Sequence, residues 1–171
     1  MLTTVLVAIY AAAVVTQTFQ PPVRELIVAS SAISIVAVAP DRADAIEHIA
    51  NARRAASLGQ FDVARREYVI AVAIDRDAGL LPAEATHGLV QVLYAQSYNR
   101  EAARALGVLA SEAEMKGATD VEARALLDAI WLNLDAGQRN VARSQAQRLQ
   151  LLLKDRHLSA ETVALVRTRY K

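Results

Sequence analysis

The fold of this chain can be deduced from one stretch, Gly59-Gln60-Phe61-Asp62-Val63-Ala64-Arg65-Arg66, with Tyr68, Ala71 and Asp75 after it. A closely similar stretch returns further along, as Gly137-Gln138-Arg139-Asn140-Val141-Ala142-Arg143. Both copies have the form G-Q-x-[D/N]-V-A-R, and a pattern that recurs along a chain is the sequence signature of a repeat protein. Repeat proteins stack similar units into an extended surface. The pattern therefore predicts a scaffold that binds a partner rather than an enzyme.

The composition excludes several classes of function. The chain has 171 residues, enough for one ordinary domain, and it contains no cysteine. It therefore offers no disulfide framework, no thiol nucleophile and no thiolate metal site. The formal net charge is +1 at pH 7. Bulk electrostatics thus give no reason to expect binding to nucleic acid or to an anionic membrane.

The stretch Met1–Pro40 is apolar, and Arg24 and Glu25 are the only charged residues in it. The composition changes abruptly between Pro40 and Ala45, where charged residues become frequent. This change predicts an apolar N-terminal segment, residues 1–45, followed by a helical body, residues 46–171.

This segment contains two apolar runs, Met1–Phe19 and Leu26–Ala39. The second run has the length of the core of a secretory signal. Arg24 would supply the basic region before it, and Ala43–Ala45 the small residues that precede a cleavage site. We therefore expect export with release after Ala45. Because a long stretch, Met1–Pro22, stands before this signal, one hypothesis places the true start at Val23.

Two alternatives for the N-terminal segment remain open. The run Met1–Phe19 is uncharged and close to the roughly 20 apolar residues that span a bilayer, so residues 1–40 could contact the membrane as an anchor. The same residues could instead form an apolar hairpin of the domain itself. Export or anchoring would place the body in the periplasm or at the membrane of a bacterial cell envelope.

From Ile46 onward the composition is typical of helices, because proline occurs only at Pro82 and alanine, leucine, arginine and glutamate dominate. Six breaks separate seven segments of helical length: Leu58–Gln60, Asp75–Leu81, Gln96–Asn99, Gly117–Thr119, Ala136–Gln138 and Asp155–Ser159. Glycines in three of these breaks are expected to end helices, because a left-handed residue there lets the last carbonyls find partners: Gly59, Gly117 and Gly137.

Three local features refine this interpretation. Thr119-Asp120-Val121-Glu122 fits a capping box, which would start a helix with Thr119 as its cap. The run Tyr68–Ile74 is rich in β-branched residues and could be a buried strand, but its length together with Asp62–Glu67 favours a helix. Ser159 is expected to open a last helix, Ala160–Lys171, that caps the array.

The arrangement resembles the tetratricopeptide repeat (TPR) family, a right-handed solenoid of antiparallel helix pairs. The residues that carry the resemblance match the family's spacing of turn, aromatic and small residues: Gly59, Phe61, Ala64, Tyr68 and Ala71. The resemblance covers residues 45–154. It implies an all-α, TPR-like solenoid of about three helix pairs with a C-terminal capping helix.

Three units are supported by a constant spacing, since the interval from Ala64 to Ala103 equals the interval from Ala103 to Ala142. It relates small residues that are expected to pack between helices, where they let helix axes approach closely: Ala64, Ala103 and Ala142, and Ala71 and Ala110. Gly137 stands in the third unit where Gly59 stands in the first. The spacing exceeds the family's usual repeat length of about 34 residues, and the second unit matches its pattern least.

We find no catalytic constellation in the sequence. His48, His87 and His157 are far apart, and none has a second potential ligand at H-x-x-x-H spacing. Phosphate-binding loops, dinucleotide-binding glycine motifs and nucleophile elbows are absent. The sequence therefore predicts a protein without enzyme activity, cofactor or metal.

The resemblance also implies a binding surface, because the first helices of TPR-like pairs line a concave groove. Three polar stripes at i, i+3 or i+4 spacing are candidates for contact with a protein or peptide: Asn51 with Arg54, His87 with Gln91 and Tyr94, and Arg124 with Asp128 and Trp131. Tyr, Trp and Arg often carry interface energy. The alternative is that these are ordinary solvated faces and that Trp131 lies in the core.

Charge is distributed unevenly near the C-terminus. Acidic residues are frequent from Glu112 to Asp135, whereas basic residues dominate from Arg139 to Lys171. These patches could join copies of the chain by self-association. The favoured function is a scaffold or adaptor of the cell envelope that binds another protein. The alternative is a cytoplasmic helical-repeat regulator that contacts an anionic partner or nucleic acid through the basic C-terminal helices, although aromatic residues are not interleaved there as nucleic-acid binding prefers.

Overall fold

The structure is a computed structural model that describes residues 28–29, 32–33, 42–154 and 158–169. Two short strands, β1 (Val28–Ala29) and β2 (Ala32–Ile33), pair antiparallel to each other. The rest of the described chain forms seven α-helices, the number that the sequence predicts. They are α1 (Arg42–Ser57), α2 (Phe61–Asp77), α3 (Ala83–Ala95), α4 (Asn99–Met115), α5 (Thr119–Asp135), α6 (Arg139–Lys154) and α7 (Ala160–Arg169).

The first six helices are joined by turns of one geometry. Five residues with positive φ lie in them: Gly59 (72°), Gly79 (71°), Ser97 (64°), Gly117 (65°) and Gly137 (75°). In the first turn the amide of Gln60 donates to the carbonyl of Ala55 at 2.9 Å, and the amide of Gly59 donates to Ala56 at 3.0 Å. These are the two bonds of a Schellman motif, which satisfies carbonyls at a helix end. The other four turns repeat both bonds.

Each helix up to α6 packs against the next one along the chain, and α7 packs on α5. The result is an all-α fold of three adjacent pairs, α1–α2, α3–α4 and α5–α6, with a shorter seventh helix. This order is consistent with a helical repeat. Buried apolar side chains form two clusters, and Leu89 on α3 packs against both of them. Helix α3 therefore joins the first pair to the rest of the core.

The small residues that are expected to pack between helices are buried. Ala64, Ala71 and Ala110 are fully buried, and Ala103 and Ala142 are each 2% exposed. A methyl group at these points lets neighbouring helix axes come close. The residues expected at the turns and between helices lie there too: Gly59 and Gly137 have positive φ, Phe61 begins α2, and Tyr68 is buried. The helix favoured over a strand for Tyr68–Ile74 is confirmed.

The start of α5 differs from the predicted capping box. The N-cap is Ala118, so Thr119 is the first helical residue rather than the cap. Glu122, which would have completed the box, is buried and accepts a hydrogen bond from Nε of Arg148 at 2.6 Å. This charge-assisted bond joins the start of α5 to α6. At α7 the prediction is confirmed, because Oγ of Ser159 accepts the amide of Thr162 at 3.2 Å.

The first helix begins at Arg42, and Ala45 in its first turn is fully buried. Arg42 forms an ion pair with Asp75 near the end of α2, where the aspartate side chain is buried. The predicted signal or anchor lies outside the described residues, except for β1, β2 and this first turn. Over the residues that the structure describes, no helix has both the length and the apolar character needed to cross a bilayer.

Candidate binding groove

A groove of about 1040 Å³ opens across the second and third helix pairs. The C-terminal half of α5 forms its floor, α3 forms one wall, and the first two turns of α6 form the opposite wall. Arg169, at the end of α7, also lines the groove. We call this surface the α3–α5–α6 groove.

An aromatic pair joins the α3 wall to the floor. The ring centroids of Tyr94 on α3 and Trp131 on α5 lie 5.4 Å apart, with the ring planes at 57°, an arrangement that aromatic pairs favour. Yet 44% of Tyr94 and 54% of Trp131 remain exposed, as does 53% of the neighbouring Leu134. The alternative in which Trp131 lies in the core is therefore wrong.

The exposed apolar floor has a local cause in the sequence of α5. This helix is apolar around most of its circumference, and it packs against both α4 and α6. Leu127 and Ile130 are each 6% exposed and belong to the core, whereas Trp131 and Leu134 remain exposed on the surface of α5. A helix with more apolar surface than its neighbours cover is suited to binding a further partner.

Asp128 on the floor lies between two basic side chains. Nη1 of Arg169 is 3.1 Å from Oδ1, and Nε2 of His87 is 3.9 Å from Oδ2. Nδ1 of His87 donates to the carbonyl of Ala83 at 2.7 Å, which fixes the ring with Nε2 toward the carboxylate. Such exposed pairs add little stability, but Arg169 neutralises the acidic charge inside the groove.

The α6 wall carries two cations that no described residue neutralises. Arg139 and Arg143 stand one helical turn apart, are exposed, and line the groove. Neither forms an ion pair with any residue within the described ranges. Because Asp128 is already paired with Arg169, the groove has a net positive charge.

Five of the eight residues predicted for the binding surface lie together in this groove: His87, Gln91, Tyr94, Asp128 and Trp131. Arg124 is on the same helix but reaches α7, where it donates to Thr162 at 3.2 Å and to Glu161 at 2.9 Å. Asn51 and Arg54 are on α1, outside the groove lining. The structure thus brings together the stripes of α3 and α5 but not that of α1.

Four important groove residues were not predicted: Leu134, Arg139, Arg143 and Arg169. The three arginines are visible in the sequence as part of a basic block, but their spacing does not show which of them face α5. Arg148, in the same block, has a different role. It pairs with Glu114 at 3.1 Å and with Glu122 at 2.6 Å, and it donates to the carbonyl of Ala110 at 3.0 Å.

These contacts show where the acidic and basic patches of the sequence meet. Arg148 and Arg169 pair with acidic residues of the same chain. The basic block is therefore partly neutralised by folding. Among the described residues, its two unpaired arginines in the groove are Arg139 and Arg143.

The N-terminus of α7 is fixed to the start of α5. The amide of Ser159 donates to Oδ1 of Asp120 at 2.9 Å, and its hydroxyl donates to the same oxygen at 3.0 Å. These bonds, the one from the amide above all, favour the charged carboxylate and lower the pKa of Asp120. Since Arg169 at the other end of α7 reaches Asp128, this anchor also positions one edge of the groove.

Within the described part of the chain, no three histidine, aspartate or glutamate side chains are grouped as a metal site would require. The groove is instead an apolar surface with an aromatic floor and a positively charged wall, which suits an amphipathic ligand. No protein-family model matches the chain, and no curated protein or solved structure matches it either.

Proposed function

We propose that this chain is a non-enzymatic scaffold or adaptor that binds a partner protein in the α3–α5–α6 groove. The observation that carries the proposal is the exposed pair of Tyr94 and Trp131. Contiguous exposed apolar surface with a polar rim marks binding sites. Tyr and Trp also dominate the binding energy when a partner covers them. With Leu134 beside it, the pair offers an anchor for apolar side chains of a partner segment.

The scaffold is proposed to be TPR-like, with longer units than that family usually has. Three adjacent helix pairs support this, as do the Schellman turns and the evenly spaced buried alanines Ala64, Ala103 and Ala142. In a stacked array of pairs, each unit buries its apolar face against the next. The surface left at the end of such an array is then available for partners.

The proposed location is a bacterial cell envelope, and its support is the apolar N-terminal segment of the sequence. Cell fractionation with N-terminal sequencing tests it. A new N-terminus near Ala45 in the soluble envelope fraction supports export, and an intact Met1 in the membrane fraction supports an anchor. Recovery of the protein in the cytoplasm would contradict both and favour the alternative regulator.

The binding function can be tested with the chain's own fluorescence, because Trp131 is its single tryptophan. Proteins captured from envelope extracts would each be purified and titrated against the scaffold. A segment that covers Trp131 removes water from the indole and shifts its emission to shorter wavelength. We expect Tyr94→Ala to weaken the binding by about tenfold or more, as loss of an interface anchor does.

Tyr98→Ala is the matched control. Tyr98 is 45% exposed, almost the same as the 44% of Tyr94, but it lies outside the groove lining. This variant should bind as tightly as the wild type. If both tyrosine variants weaken binding equally, or if Trp131 emission stays constant at saturation, partners bind elsewhere and the proposed groove is wrong.

A further inference from the structure

The α6 wall of the groove packs against α5, but no later helix pair stacks on it among the described residues. Its four residues recur on α4 at the spacing that relates Ala103 to Ala142: Arg139, Ala142, Arg143 and Ala146 correspond to Arg100, Ala103, Arg104 and Gly107. On α4 these residues line a cleft whose other side is formed by the end of α5 and the start of α6, through Asn133, Gln138, Val141 and Gln145. The end of α5 and the start of α6 thus border this face of α4 across a cleft, whereas no later helix pair borders the same face of α6 within the described ranges.

Helix α7 covers only part of the surface that a full unit would cover. It has 10 residues, against 17 in α5, and it packs on α5. Its last described residue, Arg169, reaches Asp128, near the middle of α5. Beyond that point Trp131 and Leu134 stay more than half exposed. The open space is therefore a continuation of the position that α7 occupies.

The charges of this open space specify the chemistry of its occupant. Asp128 is neutralised by Arg169 at 3.1 Å. Arg139 and Arg143 are exposed, one turn apart, and unpaired within the described ranges. An occupant that carries carboxylates would neutralise both cations, whereas a basic occupant would be repelled.

We propose, building on the binding function above, that the groove takes an acidic amphipathic helix of a partner protein, which lies against α6 where a further repeat would stack. Apolar side chains at i, i+3 and i+4 would cover Trp131 and Leu134. Carboxylates one helical turn apart would face Arg139 and Arg143, because both helices then present their charges at the same spacing. Recognition of an apolar helix face in a groove is a common mode of peptide binding.

Helix α5 provides an acidic helix of the chain's own sequence for a test. It packs along α4, the unit that corresponds to α6. Its sequence is acidic, with Asp120, Glu122, Asp128 and Asp135 against Arg124 as its charged residues, and it is apolar around most of its circumference. A synthetic peptide of the α5 sequence, Thr119–Asp135, is therefore a reasoned probe. In the peptide Trp131 is replaced by phenylalanine, so that only the full-length protein fluoresces.

The test compares this acidic peptide with a neutral version in which Asn and Gln replace its Asp and Glu residues. The acidic peptide should shift the emission of Trp131 in the full chain and bind more tightly than the neutral one. The protein variant Arg139→Gln/Arg143→Gln should lose roughly five- to tenfold in affinity for the acidic peptide, since exposed ion pairs are individually weak. Binding to the wild type should weaken with added salt.

Arg100→Gln/Arg104→Gln is the matched control. It removes the same charge at the same spacing from the corresponding turn of α4, outside the α3–α5–α6 groove. It should bind the acidic peptide like the wild type. Equal losses in both double variants would mean that only net charge attracts the peptide, and the proposal would be wrong. Thermal unfolding of both variants checks that they remain folded, as expected for exposed arginines without an ion pair in the described ranges.

The remaining outcomes separate this inference from the function on which it rests. If the neutral peptide binds as tightly as the acidic one, the acidic partner is wrong while a binding groove remains. If neither peptide binds but a captured partner still depends on Tyr94, only the inference fails. A dimer that disappears in Arg139→Gln/Arg143→Gln would identify a second copy as the occupant. A single-stranded oligonucleotide that displaces the acidic peptide at equal concentration would identify nucleic acid. Either of the last two results overturns the proposal.

Discussion

The ring of Tyr68 on α2 lies directly in front of Gly88 on α3, so that a Cβ at residue 88 would be 2.2 Å from Cε1 of the ring. Tyr68 is 4% exposed, and it belongs to the cluster of the first helix pair. The glycine is therefore required by packing, since no room remains for even a methyl group between α2 and α3.

Gly88→Ala should destabilise the fold by about 1 to 3 kcal/mol, because a buried tyrosine ring would have to shift. Gly107→Ala is the matched control: this glycine is also inside a helix, but its Cβ would meet Nε2 of Gln145 at an ordinary 3.7 Å. There the better helix propensity of alanine should leave stability unchanged or raise it by up to about 1 kcal/mol. Urea unfolding of both variants measures the difference. Equal effects of the two substitutions would contradict the packing described.

The same contact shows what the sequence can and cannot predict. The seven helices follow from local patterns, and they are correctly predicted because propensity and periodicity act within one helix. The contact between Tyr68 and Gly88 depends on how α3 is rotated against α2. No spacing within α2 contains that information, so the aromatic residue was identified and its partner was not.

Ser97 provides a second test, because it is the one described residue other than glycine with positive φ, at 64°. It closes the same Schellman turn as Gly59 and Gly137, but a side chain in the left-handed region costs about 1 to 2 kcal/mol. Ser97→Gly should therefore stabilise the protein by about 1 kcal/mol, seen as a higher urea midpoint. Ser97→Ala keeps a Cβ and should bring no gain. A glycine variant no more stable than the alanine variant would show that the turn is not strained.

The ion pair between Arg42 and Asp75 makes the first turn of α1 part of the fold. Asp75 is 1% exposed, and its other carboxylate oxygen has no hydrogen-bond partner within the described ranges. Because Arg42 is 41% exposed, its loss should cost less than the about 3 to 5 kcal/mol for one partner of a fully buried ion pair. The contribution of this turn can be measured by urea unfolding of two shortened chains, one that starts at Arg42 and one that starts at Ile46. A chain that starts at Ile46 should be much less stable, because it lacks both Arg42 and the buried Ala45.

This comparison also bears on the cleavage predicted after Ala45, since that cut would remove Arg42. Asp75→Asn in the chain that starts at Ile46 serves as the control, because a neutral amide is less costly to bury without its partner than a carboxylate. It should recover part of the lost stability. If the chain that starts at Ile46 is as stable as the chain that starts at Arg42, the ion pair contributes nothing, and release after Ala45 leaves an intact domain.

The groove could be predicted only in part, and the arginines of α6 show why. Arg139, Arg143 and Arg148 look alike in the sequence. Arg148 is held by Glu114 and Glu122, from α4 and α5, whereas the other two face the open groove. That difference arises from the positions of acidic residues on other helices. The polar stripes of α3 and α5 could be predicted because each follows from spacing within one helix. That they form one groove with α6 depends on how the helix pairs pack.

The anchor of α7 on Asp120 should weaken in acid. Hydrogen bonds from the amide and hydroxyl of Ser159 keep this carboxyl charged and lower its pKa below the ordinary value of 3.8. A lowered folded-state pKa contributes stability that is present above the unfolded value and is lost as the pH falls through the folded value. Acid should therefore loosen α7 once the pH drops below about 3.8.

Hydrogen-exchange protection of the Thr162 and Val163 amides, compared with that of Leu126 inside α5, measures this loosening. Asp120→Asn should lower the protection of α7 already at neutral pH and remove the part of its pH dependence that Asp120 causes. An unchanged acid profile in this variant would mean that another carboxylate controls the helix. Because Arg169 at the end of α7 contacts Asp128, the emission of Trp131 should change over the same pH range as the α7 amides.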